Sequence, residues 1–409
     1  MTDVLTINDL DLKDKTVLCR VDLNCPIDPS TGEFLDERRI KKHSETVKTL
    51  ADAGAKVVVL AHQGRPGSDY DFTTLEKHTG RLSEYVGREV SYMPDLFGPS
   101  AKDAIKDLKS GDIVLLENVR FMSEELLKRP SDVQATTHFV KNLAPLADFF
   151  VSDAFAAAHR SQPSMVGFCE KLPSAAGLVM QNELENLSKA RSAKKRPSVF
   201  VVGGAKIGSS LRVVDQLLAT ESVDHVLTAG LVANIFLVAK GYEIRGLEYI
   251  EEFNKHVAKA QSLMKEYSNK IAVPEDLACD KHGERMEVSI SELPLPYRIA
   301  DIGTKTIETY KKIIEEAGTI IANGPAGVFE EKAFAKGTSE LVTAIADSEA
   351  FSVVGGGHIA GAVAQLGLSN KISHVSTGGG ACILFLAGDD LPAIEALEKA
   401  AERYKGGKK

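Results

Sequence analysis

Four cationic positions in the first half of the chain share one placement. Arg39, His62 with Arg65, Arg120 and Arg160 each follow a short apolar run, and Asp22 and Asn24 follow the first of those runs. Guanidinium groups that converge suit a phosphate or a carboxylate, because each planar fork can donate two parallel hydrogen bonds. Asp22 and Asn24 could hold an arginine or orient a hydroxyl. One arginine alone could equally pair with a surface carboxylate; four at equivalent places argue for an anion site. In the second half the cations give way to glycines. Gly203-Gly204-Ala205-Lys206, Asn323-Gly324-Pro325, Gly355-Gly356-Gly357 and Gly378-Gly379-Gly380 each end an apolar run. Backbone N–H groups at such turns form anion nests, and glycine lets phosphate oxygens come close. Tight helix–strand packing would explain one such turn. The set, with Lys206, points to a nucleotide phosphate site.

The elements that must position these residues alternate strand and helix. Strands are predicted at 16–21, 56–60, 113–116 and 149–152, and later at 199–202, 225–229, 270–274, 319–322, 351–354 and 373–376. Val- and Ile-rich runs without polar alternation fit strands buried on both faces of a parallel sheet. In such sheets ligands bind beyond the carboxyl ends of the strands, where the cations and glycines lie. Arg38-Arg39-Ile40 opens a helix that Gly54 ends. A second helix is expected from Ser174, with glutamates early and basic residues late (Lys189, Arg191, Lys194, Lys195, Arg196), which complements its dipole. Leu391 to Tyr404 reads as an amphipathic helix, followed by a frayed glycine–lysine tail.

A length of 409 residues exceeds one ordinary core, so two domains are expected. The formal net charge of −8 argues against a general nucleic-acid or membrane-surface binder, so any anion site must be a local cluster. Five cysteines without a C-x-x-C pair give no zinc signature and fit a reducing compartment. The start of the chain shows no basic segment followed by an apolar run, and a cytoplasmic location is expected. There is no G-x-x-x-x-G-K-[ST] motif. Gly355-x-Gly357-x-x-Ala360 fits a loose dinucleotide pattern, but no acidic residue follows at the distance that would hold a ribose.

Taken together, Arg20-Val21-Asp22-Leu23-Asn24-Cys25-Pro26, Arg39-Ile40, His62-Gln63-Gly64-Arg65-Pro66, Leu116-Glu117-Asn118-Val119-Arg120-Phe121, Ser152-Asp153-Ala154-Phe155 through His159-Arg160, the Lys206 turn, Asp301-Ile302-Gly303, Asn323-Gly324-Pro325 with Gly327-Val328-Phe329-Glu330, and the two triple glycines resemble the phosphoglycerate kinase family over nearly the whole chain. The resemblance implies two doubly wound, Rossmann-like parallel-sheet domains facing a cleft, joined by an interdomain helix, with a C-terminal helix returning to the N-terminal domain. The implied boundaries are 1–173 for the 3-phosphoglycerate domain, 174–196 for helix and linker, 197–390 for the nucleotide domain and 391–409 for the returning helix and tail.

The implied reaction is reversible phosphoryl transfer between 1,3-bisphosphoglycerate and MgADP, with Mg²⁺ as cofactor and domain closure over the substrates. By motif, substrate binding falls on Asp22, Leu23, Asn24, Arg39, His62, Gln63, Gly64, Arg65, Arg120 and Arg160. Nucleotide binding falls on Gly204, Ala205, Lys206, Asn323, Glu330, Gly355, Gly356, Gly357 and His358. Arg39, Lys206, Gly357 and Gly378 are the expected catalytic groups. The partners expected are these small molecules, without nucleic acid or membrane; the chain is expected as a monomer, with a homodimer as the alternative.

Three positions depart from the family's usual pattern. His358 stands where a metal-binding Asp is common, which leaves the metal ligand unassigned. Ser210 replaces a second lysine, and Cys382-Ile383-Leu384-Phe385 lacks a usual glutamate. With Val273-Pro274-Glu275-Asp276, these resemble the archaeal branch. An NAD-dependent dehydrogenase, from the Gly355 pattern, and a non-catalytic anion binder are the competing readings.

Overall fold

The computed structural model describes residues 3–67, 70–192 and 195–406; Lys194 of the basic run and tail residues 407–409 lie outside the described residues. The chain divides into two units, Met1–Glu185 with Asp390–Lys409, and Asn186–Asp389.

The first unit is built on a seven-stranded sheet. Its strands are β1 (Leu5–Thr6), β2 (Thr16–Arg20), β3 (Lys56–Leu60), β4 (Ser91–Met93), β5 (Ile113–Leu116), β6 (Phe149–Ser152) and β7 (Ser174–Ala176). Their order is β1-β7-β6-β2-β3-β5-β4, and every pair is parallel. Val17, Leu18, Val57, Val58, Leu115 and Phe150 are fully buried, which accounts for their unbroken apolar runs. Removing each such side chain from water contributes roughly 1.5–3 kcal/mol. From β2 the chain winds outward to β3 and β5, then crosses to the other side of β2 to lay down β6. The order reverses between β2 and β6, the place where open α/β sheets leave a crevice.

The helix expected from Ser174 starts later. Residues Ser174–Ala176 pair with β6 as β7, and the helix spans Leu178–Ser192. Ser-Ala-Ala is short and small, so its strand pairing is invisible as an apolar run. Asp153 sets the helix start: its Oδ1 accepts from Val179 N (2.9 Å) and Met180 N (3.2 Å). A cap of this kind is worth about 1 kcal/mol. The division between the units falls inside this helix, after Glu185. The C-terminal helix Pro392–Gly406 belongs to the first unit, where Ala393 N donates to Ala158 O (3.1 Å) and Arg403 donates to Cys169 O (2.6 Å) and pairs with Glu170.

The second unit repeats the plan with β8 (Ser198–Val202), β9 (His225–Thr228), β10 (Ile271–Ala272), β14 (Thr319–Asn323), β15 (Phe351–Gly355) and β16 (His374–Val375), all parallel in the order β10-β9-β8-β14-β15-β16. Its order reverses between β8 and β14. A third sheet, β12-β11-β13, adds what the doubly wound plan does not include: β11 (Asp276–Lys281), β12 (Glu284–Ser289) and β13 (Arg298–Ile302) pair antiparallel. One face of it packs Leu277, Cys279 and Val288 against Leu237. Among the described residues no helix is long and apolar enough to cross a membrane.

Candidate active site

In the first unit the predicted cations gather beyond the carboxyl ends of β2, β3, β5 and β6. Asp22 is 2% exposed and anchors the group. Its Oδ2 lies 3.1 Å from Arg39 NH1, and its Oδ1 accepts from Asn24 N (3.0 Å). Arg39, on the first turn of the helix Arg38–Asp52, also donates to Asn24 O (3.0 Å). Burial alone would raise the Asp22 carboxyl; the Arg39 guanidinium above all, with the Asn24 N–H, outweighs it and holds it well below the usual carboxylate range. One turn along the same helix, His43 Nδ1 lies 2.7 Å from Asp153 Oδ2, so the carboxylate that caps Leu178–Ser192 also fixes the helix carrying Arg39.

The loop after β3 is wired to the others through its backbone. Gly64 N donates to Asn24 Oδ1 (2.8 Å), and Gly64 O accepts from Arg120 NH1. Gln63 is fully buried and braces Cys25 N (3.0 Å) and Cys25 O (2.8 Å). Leu23 is also fully buried, in the core cluster. Of these predicted residues, Gln63 and Leu23 therefore have side chains committed to the scaffold. Arg65 is exposed, Arg160 half-buried and Arg120 buried. Burial, with Arg160, Arg20 and Arg65 nearby, pushes the Arg120 guanidinium down to about 10. Burial and Arg65 lower that of Arg160 as well. The three cations raise one another's energy, and an anion among them would relieve this.

Sequence reasoning passed over Arg20, Ser164 and Glu125. All three are at most 1% exposed. Arg20 donates through Nε to Ser164 Oγ (2.9 Å), through NH1 to Val21 O, and approaches His62 Nδ1 with NH2 at 3.0 Å. A charge at the end of an apolar strand was the available signal. Its partners stand 42 and 144 residues away, and only the fold reveals them.

In the second unit the loops after β8 and β14 meet at the reversal of strand order. Gly203 N donates to Asn323 O (2.8 Å) and Gly204 N to Pro325 O (2.8 Å). A Cβ on Gly203 would stand 2.3 Å from Pro325 O, so only glycine allows the approach. These loops line a cavity of about 640 Å³ together with Lys206, Asp301, Glu330, Gly356, Gly357, His358 and Gly379. Lys206 is exposed and precedes the helix Ile207–Ala219; Gly357 opens the helix Gly357–Gln365. His358 Nδ1 lies 2.9 Å from Glu330 Oε1, which joins two of the predicted nucleotide residues. Glu330's own N–H and His358 draw its carboxyl below the usual value.

Two predicted glycines lie off the cavity wall. Gly355 ends β15, buried, where an added Cβ would meet Cys382 Sγ at 2.8 Å. Gly378 is buried and gives its N–H to Ser376 Oγ (3.0 Å); the neighbouring Gly379 faces the cavity instead. Ser210, at the position of the absent second lysine, is buried on the packed face of its helix. Strand β13 of the antiparallel sheet contributes Arg298 and Asp301 to the wall, and Tyr297 precedes it. Asp301 Oδ2 accepts from Arg285 NH1 (2.8 Å) and Gly337 N (2.7 Å), which ties that wall to the element after Glu330.

The family model described as phosphoglycerate kinase matches residues 7–389. The phosphoglycerate kinase of Methanothermus fervidus is 50% identical over 402 residues, covering 97% of this chain and 98% of its own. That of Methanobacterium bryantii is 50% identical over 409 residues, covering 98% of each chain. Among solved structures, the phosphoglycerate kinase of Pyrococcus horikoshii superposes with a TM-score of 0.90 at 42% identity, covering 98% of this chain and 99% of its own. That of Coxiella burnetii gives 0.83 at 34%, covering 97% and 100%. Full-length identity of this order leaves the dehydrogenase reading of the Gly355 pattern without support, and the chain belongs to the phosphoglycerate kinase family.

Proposed function

We infer that the chain transfers a phosphoryl group reversibly between 1,3-bisphosphoglycerate and ADP, giving 3-phosphoglycerate and ATP. The observation that carries the division of labour is the contrast between the two constellations. One is a mutually repelling set of arginines with an anchoring carboxylate. The other is a glycine-lined cavity with one lysine. On this reading Asn24, Arg39, His62, Arg65, Arg120 and Arg160 hold the phosphoglycerate, and Asp22 positions Arg39. Gly204, Ala205, Lys206, Asn323, Glu330 and the Gly356–His358 turn hold the nucleotide.

Mg²⁺ enters with the nucleotide as MgADP or MgATP. Among the described residues no group of three or more His, Cys, Asp and Glu side chains is set to hold a metal. That fits an ion carried mainly by substrate phosphates and water.

Phosphoryl transfer asks little covalent chemistry of a protein. It needs the two oxygens in line and positive charge around the moving group. Arg39 and Lys206 supply that charge in this proposal, and the backbone N–H groups of Gly357 and its neighbours bind the phosphates. An ionised carboxylate or an ADP phosphate is already a nucleophile, so no general base is required. The test is calorimetric titration of 3-phosphoglycerate into wild type and Arg120→Met. Losing one charge-assisted hydrogen bond should weaken binding about 10- to 100-fold. Unchanged affinity would remove Arg120 from the patch.

A further inference from the structure

His62 sits among three cations, Arg20, Arg120 and Arg160, and one carboxylate, Asp22. The residue is 5% exposed. Such a group could serve the phosphoglycerate patch either as one more positive charge or as a neutral, directional donor. The structure distinguishes the two. Arg20 NH2 lies 3.0 Å from His62 Nδ1. A guanidinium has donors only and keeps its proton in any protein. A ring N–H at that distance would face another N–H, so Nδ1 must present its lone pair. The proton then resides on Nε2.

The orientation of Arg20 is fixed from behind. Its Nε donates to Ser164 Oγ and its NH1 to Val21 O. The Ser164 hydroxyl donates in turn to Glu125 Oε1, and Ser164 N donates to Glu125 Oε2 (3.0 Å). Glu125, Ser164, Arg20 and His62 thus form one buried chain of hydrogen bonds, with a single carboxylate and a single guanidinium in it. Such a chain is rigid because each group left without its partner would be costly to bury.

We propose that Arg20 is a positioning residue that locks His62 in the neutral tautomer with its proton on Nε2, so that His62 offers the phosphoglycerate one directed hydrogen bond and no charge. Glu125 and Ser164 hold Arg20 in place for this. The role rests on the assignment of His62 to the phosphoglycerate patch. Its consequence is a substrate site whose positive charge comes from arginines alone and stays constant across the range where a free histidine titrates.

The test is nitrogen NMR on the full chain labelled in its histidines, with His62 assigned by comparison with His62→Gln. The wild type should show an unprotonated Nδ1 and a protonated Nε2 from pH 8 down to about 5, below the ordinary imidazole value of about 6.5. Adding 3-phosphoglycerate should shift the Nε2 signal. Arg20→Met should release the ring, which would titrate or exchange tautomers, and raise KM for 3-phosphoglycerate about tenfold, the loss of roughly one hydrogen bond to a charged partner. Arg20→Lys should restore part of it. Ser164→Ala, a smaller change, should loosen the tautomer in the same direction. A wild-type His62 protonated on Nδ1, or titrating near its ordinary value, overturns the lock, and so does an Arg20→Met spectrum identical to wild type. The predicted tautomer with no response to 3-phosphoglycerate would instead overturn the substrate assignment on which the role rests.

Discussion

Gly64→Ala should damage the phosphoglycerate patch far more than Gly67→Ala, three residues along the same loop. Both glycines have left-handed backbones, with φ of +64° and +78°. An alanine in that conformation costs about 1–2 kcal/mol. The surroundings differ. A Cβ on Gly67 would meet nothing within 4 Å, whereas one on Gly64 would stand 2.5 Å from both N and Cα of Phe72. Those are backbone atoms and cannot rotate away, so the loop itself must shift, adding about 1–3 kcal/mol. Gly64→Ala is therefore expected to destabilise the protein by roughly 2–5 kcal/mol in total, against about 1–2 for Gly67→Ala.

The shift also breaks the geometry of the site. Gly64 N holds the Asn24 side chain and Gly64 O holds Arg120. A displacement of about 1 Å at reacting groups can cost about 100-fold in rate. Urea unfolding would give the two stabilities, and kcat/KM for 3-phosphoglycerate would give the second effect. Equal losses in the two variants would refute the reasoning that Gly64 is held by its neighbours rather than by its torsion angle alone.

Gly203→Ala should act on the other substrate. Its Cβ would push the loop after β8 away from Pro325 O, and ADP affinity measured by calorimetry should fall tenfold or more while 3-phosphoglycerate affinity stays within about twofold; equal effects on both ligands would show a general unfolding. Stability should also fall with acid. Burial holds the His78 imidazole down at about 4, against about 6.5 in the unfolded chain. Between those values the unfolded state binds more protons, so stability is full above about 6.5 and drains as pH drops toward 4. From pH 7 to 5 His78 alone should remove about 2 kcal/mol. His78→Gln should flatten the difference in urea midpoint between those two pH values, and an unchanged difference would mean that His78 is not the titrating group.

How far the sequence could be read depends on whether a feature is local. Strands β5 and β6 lie where their apolar runs end, because a strand buried on both faces has nothing but apolar residues to show. Arg39 lies against Asp22 and Arg120 reaches the Gly64 carbonyl in the loop after β3, since a parallel sheet brings its strands' carboxyl ends to one edge. The antiparallel sheet was missed. Its strands carry charges on an open face, as in Asp276–Lys281 and Glu284–Ser289, and so lack the apolar run that marked the others. A signal did exist: His282-Gly283, both with positive φ, is the two-residue turn that joins Lys281 to Glu284. β7 was hidden by its small residues, and Gly378 could not be separated from Gly379 because only the fold decides which N–H is already taken. The buried Glu125–Ser164–Arg20–His62 chain was out of reach for a different reason. Its members are distant in sequence, and a buried charge looks like any other until its partner is placed.

The most direct test of the account is a coupled assay of the purified protein with 3-phosphoglycerate and MgATP. Product 1,3-bisphosphoglycerate is followed through NADH oxidation by added glyceraldehyde-3-phosphate dehydrogenase. The proposed function requires turnover in the wild type, reduced in kcat roughly 100- to 1000-fold by Arg39→Ala and by Lys206→Ala, the loss expected for one group that stabilises charge in the transition state. Wild-type protein that binds both substrates without turnover, or either variant within about threefold of wild type, would contradict it.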